Sequence, residues 1–187
     1  MAEDGLRAGM LAVATADLLD PSFVRSVVLL LDVEEDGVLG VVLNRPSPVP
    51  VADVLDGWGE TLASPEVFFQ GGPVAADTAL AVARLRDAAV VPVGFRRVHG
   101  RLGLLDLDTP VELLRGSLAG VRIFAGYAGW GAGQLEAEIA EGSWYVVSAE
   151  ESDVFRDDVG RLRRDVLRRQ PGKLAWHATR PGDPGLN

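Results

Sequence analysis

Two carboxylates, Glu136 and Glu138, follow glycines at 126, 129, 131 and 133 in the stretch FAGYAGWGAGQLEAEI at 124–139. Glycine turns that open a helix expose amides able to bind phosphate, and paired carboxylates serve general acid and base catalysis. Neither chemistry has its spacing here. From Gly131 the pattern G-x-G-x-x-G requires glycine where Glu136 stands, and from Gly129 it requires glycine where Gln134 stands. No G-x-x-x-x-G-K-[S/T] occurs, and Lys173 is the only lysine. Glu136 and Glu138 would point about 200° apart on a helix, so they form no shared acid/base pair by themselves, although one could face a pocket. Gln134 and Glu138, four apart, do share a helical face, with Trp130 just ahead as an aromatic wall. The alternative is packing: the glycines let a strand lie close to a helix whose Leu135 and Ile139 face the core.

Other catalytic grammars are sparse. G-x-S-x-G and S-x-x-K are absent, and His99 and His177 are the only histidines, isolated from one another. His177 reads as a partly exposed structural residue. Without cysteine or H-x-x-x-H, no metal site and no cofactor are expected. Asp17, Asp20, Asp53 and Asp56 lack the regular spacing of a calcium loop, and Asp20-Pro21 reads as a turn or helix start. The arginines from Arg161 to Arg169 are the best nucleic-acid candidate, yet they scatter around a helix end, where they complement the macrodipole.

Charge and composition bound the function. A net charge of −9 repels nucleic-acid backbones and argues against direct nucleic-acid binding. With 187 residues, 48% hydrophobic, the chain suits one domain that folds alone. The start carries Glu3 and Asp4 rather than basic residues, and no apolar run is long enough for a membrane span, so a soluble cytoplasmic protein is expected.

The elements that must position these residues are strands. Val27–Val33 and Val38–Leu43, joined by Glu34-Glu35-Asp36-Gly37, read as a hairpin whose second strand ends at Asn44-Arg45-Pro46. Val51–Leu55 suits a short helix, and Val67–Phe69 a strand running into Gln70-Gly71-Gly72-Pro73. Thr78–Leu85 and Ala88–Val93 fit helix or strand. Arg101–Leu105, Val121–Tyr127 and Trp144–Val147 read as strands, Asp108-Thr109-Pro110 opens a short helix, and a helix is expected from Ala132 or Gly133 to Ala140. Phe155, Val159, Leu162 and Val166 lie on one face of a terminal helix, stopped by Pro171-Gly172. A last strand at Leu174–Thr179 precedes a flexible tail at 180–187, leaving 1–179 as a single domain. The irregular alternation is that of an α+β fold.

Several segments in this order resemble the YqgE/AlgH family of bacterial proteins. They are the register from Gly9 to Thr15, Asp20-Pro21-x-Phe23-x-Arg25-Ser26-Val27, Gly40-Val-Val-Leu-Asn44-Arg45-Pro46, Gln70-Gly71-Gly72-Pro73-Val74, and Gly126 through Ile139 followed by Gly142-x-Trp144. The resemblance implies a single domain whose bent, bifurcated, mostly antiparallel sheet forms a barrel-like core flanked by helices. It implies no settled activity. The family name is connected with transcriptional regulation of exopolysaccharide, to which the acidic charge lends no support as direct DNA binding.

Each family segment falls where a strand leaves the sheet. Asn44, Arg45, Gly71, Gly72, Trp130, Gln134 and Glu138 are therefore expected to gather at one rim as a shallow ligand-binding pocket, with Arg45 facing an anion and Glu138 as its counterweight or a hydrogen-bond acceptor. A regulatory or interaction domain binding a small molecule or protein partner fits this reading best. A hydrolase or transferase using Glu138 is the alternative, and a DNA-binding regulator the least favoured.

Overall fold

The computed structural model describes residues 5–178; Glu3, Asp4, Thr179 and the tail expected at 180–187 lie outside the described residues. The fold is α+β, a curled and mostly antiparallel half-barrel with a few short helices. Among the described residues ten strands make it: β1 Met10–Ala14, β2 Val27–Glu34, β3 Gly37–Val42, β4 Pro46–Pro50, β5 Val67–Gln70, β6 Val74–Leu85, β7 Phe95–His99, β8 Leu102–Leu105, β9 Leu118–Gly131 and β10 Trp144–Ser148. Their order is β10-β1-β2-β3-β9-β6-β8-β7, and β4 with β5 branches onto β9.

Strand period explains why β1 and β2 are buried on both faces. Leu11, Val13, Val27, Leu29 and Leu31 face one hydrophobic cluster, while Met10, Ala12, Ala14, Val28 and Leu30 face another. A third cluster joins β6, β8 and β9 to Val51, Trp58 and Leu114. Because both faces of β1 are apolar, it shows no alternation in sequence and reads only as an apolar run.

β9 is the hub. It pairs antiparallel with β6 from Leu118 to Tyr127, parallel with β5 at Phe124 and Ala125, and antiparallel with β3 from Ala128 to Gly131. The glycine segment expected to turn the chain into a helix is instead strand through Gly131, and only Gly133, at φ 69°, makes the turn into α1, Gln134–Ala140. The close approach is of strand on strand. A β-carbon on Gly71 would overlap the Gly126 carbonyl, one on Gly72 the Tyr127 backbone, and one on Gly126 would lie 2.6 Å from the Gly72 oxygen.

The terminal helix expected from the 155–166 periodicity is broken into α2, Glu151–Phe155, a 3₁₀ turn at Val159–Arg161, and α3, Leu162–Arg168. Val159, Leu162 and Val166 still share the buried face. The break lets Arg169 fold back onto buried Asp153, with Nη1 donating to Oδ1 at 2.7 Å. A straight helix would hold residues sixteen apart at roughly 24 Å. Arg163 donates to the Ala14 carbonyl at 2.8 Å, and Arg156 to Asp165 at 2.7 Å, so this arginine-rich segment ties helices to one another and to the sheet. Residues Gly172–Ala178, read in part as a strand, form a 3₁₀ helix. His177 there is half-buried against Tyr145, ring centroids 5.2 Å apart.

Gly71→Ala should cost about 3 kcal/mol or more in urea denaturation, because backbone rather than a movable side chain occupies the space. The hydrogen bond from Arg156 holds the Asp165 carboxyl below the usual carboxylate range. A depressed folded pKa stabilises the fold above the unfolded pKa of about 4, and that stabilisation disappears as pH falls through the folded value. Asp165→Asn should therefore lower the melting temperature slightly at pH 7, and the difference should shrink in a titration toward pH 3 or so.

Candidate functional site

Five of the seven residues expected at one rim form two constellations. In the first, α1 begins just after β9, so its first face lies against the β9 end. Glu138 Oε2 accepts the indole N–H of Trp130 at 3.1 Å and of Trp144 at 2.8 Å, and its Oε1 accepts Gln134 Nε2 at 3.0 Å. Gln134 Oε1 in turn accepts the Gly131 amide at 3.0 Å. Phe23 stacks on Trp130 at 5.8 Å and meets Trp144 edge-on at 5.6 Å. Three donors converge on one half-buried carboxylate, which joins strand, helix and β10. Glu136, its neighbour in the motif, is exposed.

In the second constellation, Asn44 and Arg45 hold the loop that carries Phe23. Asn44 Oδ1 accepts the Val27 amide and its Nδ2 donates to the Arg25 carbonyl, both at 3.0 Å. Arg25 has φ 59°, a left-handed conformation that this grip stabilises. Arg45 donates to the carbonyls of Ser22 and, at 3.1 Å, Val24. Asp20 Oδ1 accepts the Ser22 amide at 2.7 Å, so Asp20-Pro21 opens the loop as a turn. The family segments therefore meet through residues 20–27.

The concavity lies on the Arg45 side of that loop. A hollow of about 170 Å³ is lined by Ser22, Arg45, Gln70, Gly72 and Pro73. Beside it a larger one of about 510 Å³ is lined by Ser47, Val49, Phe68, Gln70, Gly72, Ala76 and Ala125. Gln70 and Gly72 line both, making one two-lobed groove. Arg45 and Gly72 thus border it, Asn44 and Gly71 stand next in the chain, and Trp130, Gln134 and Glu138 belong to neither lining. Arg45 gives two carbonyl bonds from a group with five N–H donors.

Sequence reasoning found Gly72 and passed over the rest of the larger lobe's lining. Its far wall exists because β6 bulges: Val74 pairs with Tyr127 but the next pair is Ala79 with Ala125, so Ala75 to Thr78 loop outward. Alternation along β4 points Ser47 and Val49 into the groove between Pro46, Pro48 and Pro50, a two-residue period that was available in PSPVP. Gln70, exposed at a strand exit, was a further signal.

The family described as AlgH-like matches residues 11–175. A UPF0301 protein of Streptomyces avermitilis is 56% identical, covering 100% of this chain and 98% of the relative. One from Mycobacterium tuberculosis is 48% identical, covering 97% and 91%. The crystal structure of a Corynebacterium diphtheriae protein superposes with a TM-score of 0.89 at 33% identity, covering 96% of this chain and 95% of that one. The solution structure of the AlgH protein from Pseudomonas aeruginosa has a TM-score of 0.69 at 24% identity over 98% and 100%, a likeness of fold alone.

Glu138→Gln replaces an acceptor-only carboxylate with an amide that turns N–H toward an indole or Gln134. It should cost about 1–3 kcal/mol in urea denaturation followed by tryptophan emission, whereas Glu136→Gln should change stability by less than about 0.5 kcal/mol.

Proposed function

We propose that this chain, which belongs to the AlgH-like family, is a cytoplasmic binding domain that takes a small amphiphilic anion in the two-lobed groove between β4, β5 and β6. The observation that carries the reading is the sharing of Gln70 and Gly72 by two hollows of different character. Phe68, Val49, Ala76 and Ala125 give the larger lobe an apolar surface, and its volume of about 510 Å³ suits a small organic molecule. Arg45 lies in the smaller lobe, its guanidinium already oriented by the Ser22 and Val24 carbonyls. A preoriented guanidinium loses little freedom on meeting a carboxylate, which favours an acidic head at this end. Gln70, between the lobes, can donate to and accept from the middle of such a ligand.

Occupancy would act on the loop at 20–27, because Arg45 serves both the groove and that loop. A bound anion that draws Arg45 changes how firmly Phe23 is seated on Trp130 and Trp144. That is a regulatory device in which a ligand is read out on a surface loop for a protein partner.

Octanoate, with 1-octanol as its uncharged counterpart, probes the groove. Octanoate should bind saturably by calorimetry and raise the melting temperature, octanol should bind more weakly, and Ala76→Trp should fill the larger lobe and abolish both. Equal binding of the acid and the alcohol would remove Arg45 from the site. Retention of binding in Ala76→Trp would place the ligand elsewhere.

A further inference from the structure

The two walls of the groove share a defect of strand pairing. In β4, Pro46 is opposite Phe69 and Pro50 opposite Val67, so Ser47, Pro48 and Val49 stand against Phe68 alone. In β6, Val74 is opposite Tyr127 and Ala79 opposite Ala125, so Ala75, Ala76, Asp77 and Thr78 stand against Gly126 alone. Each residue brings one carbonyl and, proline apart, one amide, so a single opposite residue cannot take up the main-chain groups of three or four. The Val49 amide turns back onto its own strand, to Ser47 Oγ at 3.2 Å. Ala75 takes a left-handed φ of 47°, which turns β6 out of its ladder. Ser47, Val49 and Ala76 line one cavity, so strand that has left its ladder borders that cavity on two sides.

Charge along the groove is ordered as well. Arg45 lines the smaller lobe only and Ala76 the larger only, with Asp77 exposed next to Ala76. A cation therefore serves one lobe and a carboxylate stands beside the other. An alkyl acid would satisfy Arg45 and the apolar surface of Phe68, Val49 and Ala125, but it has no group to pair with open main chain and none for Asp77. A peptide brings one N–H and one C=O per residue, and its free end is a carboxylate.

We infer that the ligand of this groove is the carboxyl terminus of a polypeptide. Its terminal carboxylate meets Arg45, its apolar last side chain enters the larger lobe over Phe68, and the residues before it run extended between β4 and the β6 bulge. Gln70, shared by both lobes, meets the last amide. A basic side chain upstream is matched to Asp77, and an acidic one is disfavoured there. This assignment rests on the groove being a site for an amphiphilic anion and narrows that anion to one class.

The acetylated tetrapeptide lysyl-seryl-alanyl-leucine with a free carboxylate, titrated into the full chain by calorimetry beside octanoate, tests it. The peptide should bind saturably and more tightly than octanoate. Its carboxamide should bind about tenfold more weakly or worse, and the analogue with an ester in place of the alanyl-leucine amide roughly threefold more weakly or worse. Asp77→Asn, at an exposed position, should weaken the lysyl peptide about threefold and leave its glycyl analogue unchanged. Octanoate binding without peptide binding overturns the peptide assignment and leaves the amphiphilic-anion reading standing, whereas failure of both ligands removes the groove as a site. Equal affinity of acid and carboxamide, or of peptide and ester, also overturns the assignment, and because these comparisons change only the ligand, they do not depend on any variant folding.

Discussion

Backbone lies directly against backbone where Gly71 and Gly72 meet Gly126 and Tyr127, and the rest of the molecule is arranged around that contact. Any side chain there would separate β5 from β9. With the two in contact, β9 can pair with β5 and β6 through its first half and then pass to β3. The amide of Val42 donates to the Gly71 carbonyl and that of Gly71 to Ala125, which locks the exchange of partners from both sides. The sheet curls at this point, and the groove opens over it.

Two clamps reach the loop at 20–27 from opposite directions. One is the carboxylate of Glu138 with its indole donors, against which Phe23 packs; the other is Asn44 with Arg45, which bind the loop's backbone. The first couples polar hydrogen bonds to aromatic packing, so it is rigid at modest net gain, because each polar group was solvated in the unfolded chain. In the second, Arg45 is bound to carbonyls alone, leaving its cation available to a different acceptor. The family segments are thus mechanically joined even where they do not share one cavity.

The sequence made the α+β class legible through features that depend on near neighbours: the β2–β3 hairpin, the apolar runs of β5 and β8, and the proline exit after Asn44. What escaped depended on distant residues. β4 with three prolines defies strand propensity and exists because β5 supplies a neighbour. The glycine segment reads as a turn, yet at Gly126 the left-handed φ of 72° is absorbed inside a strand by the bulge opposite it in β6. The terminal helix kept its buried face and lost its continuity to the pairing of Asp153 with Arg169. For the site, the rim motifs identified Arg45 and Gly72, while Ser47, Phe68 and Ala125 emerged only once strands distant in sequence were side by side. Arg122 was visible as a lone cation in VRIF, but its burial was not.

The β4 strand has one further consequence. It pairs with β5 alone, through just Pro46 with Phe69 and Pro50 with Val67, and β5 itself pairs with β9 over two residues. The wall that presents Ser47 and Val49 is therefore a span tied at its two ends, where Gln70 donates to the Arg45 carbonyl and Val51 to the Glu66 carbonyl, with prolines between that give up no amide to any ladder. Segments so sparsely bonded open at a free energy well below that of global unfolding. The cavity then has one fixed side on β9 and one compliant side on β4, and its width can change without loosening the barrel behind it.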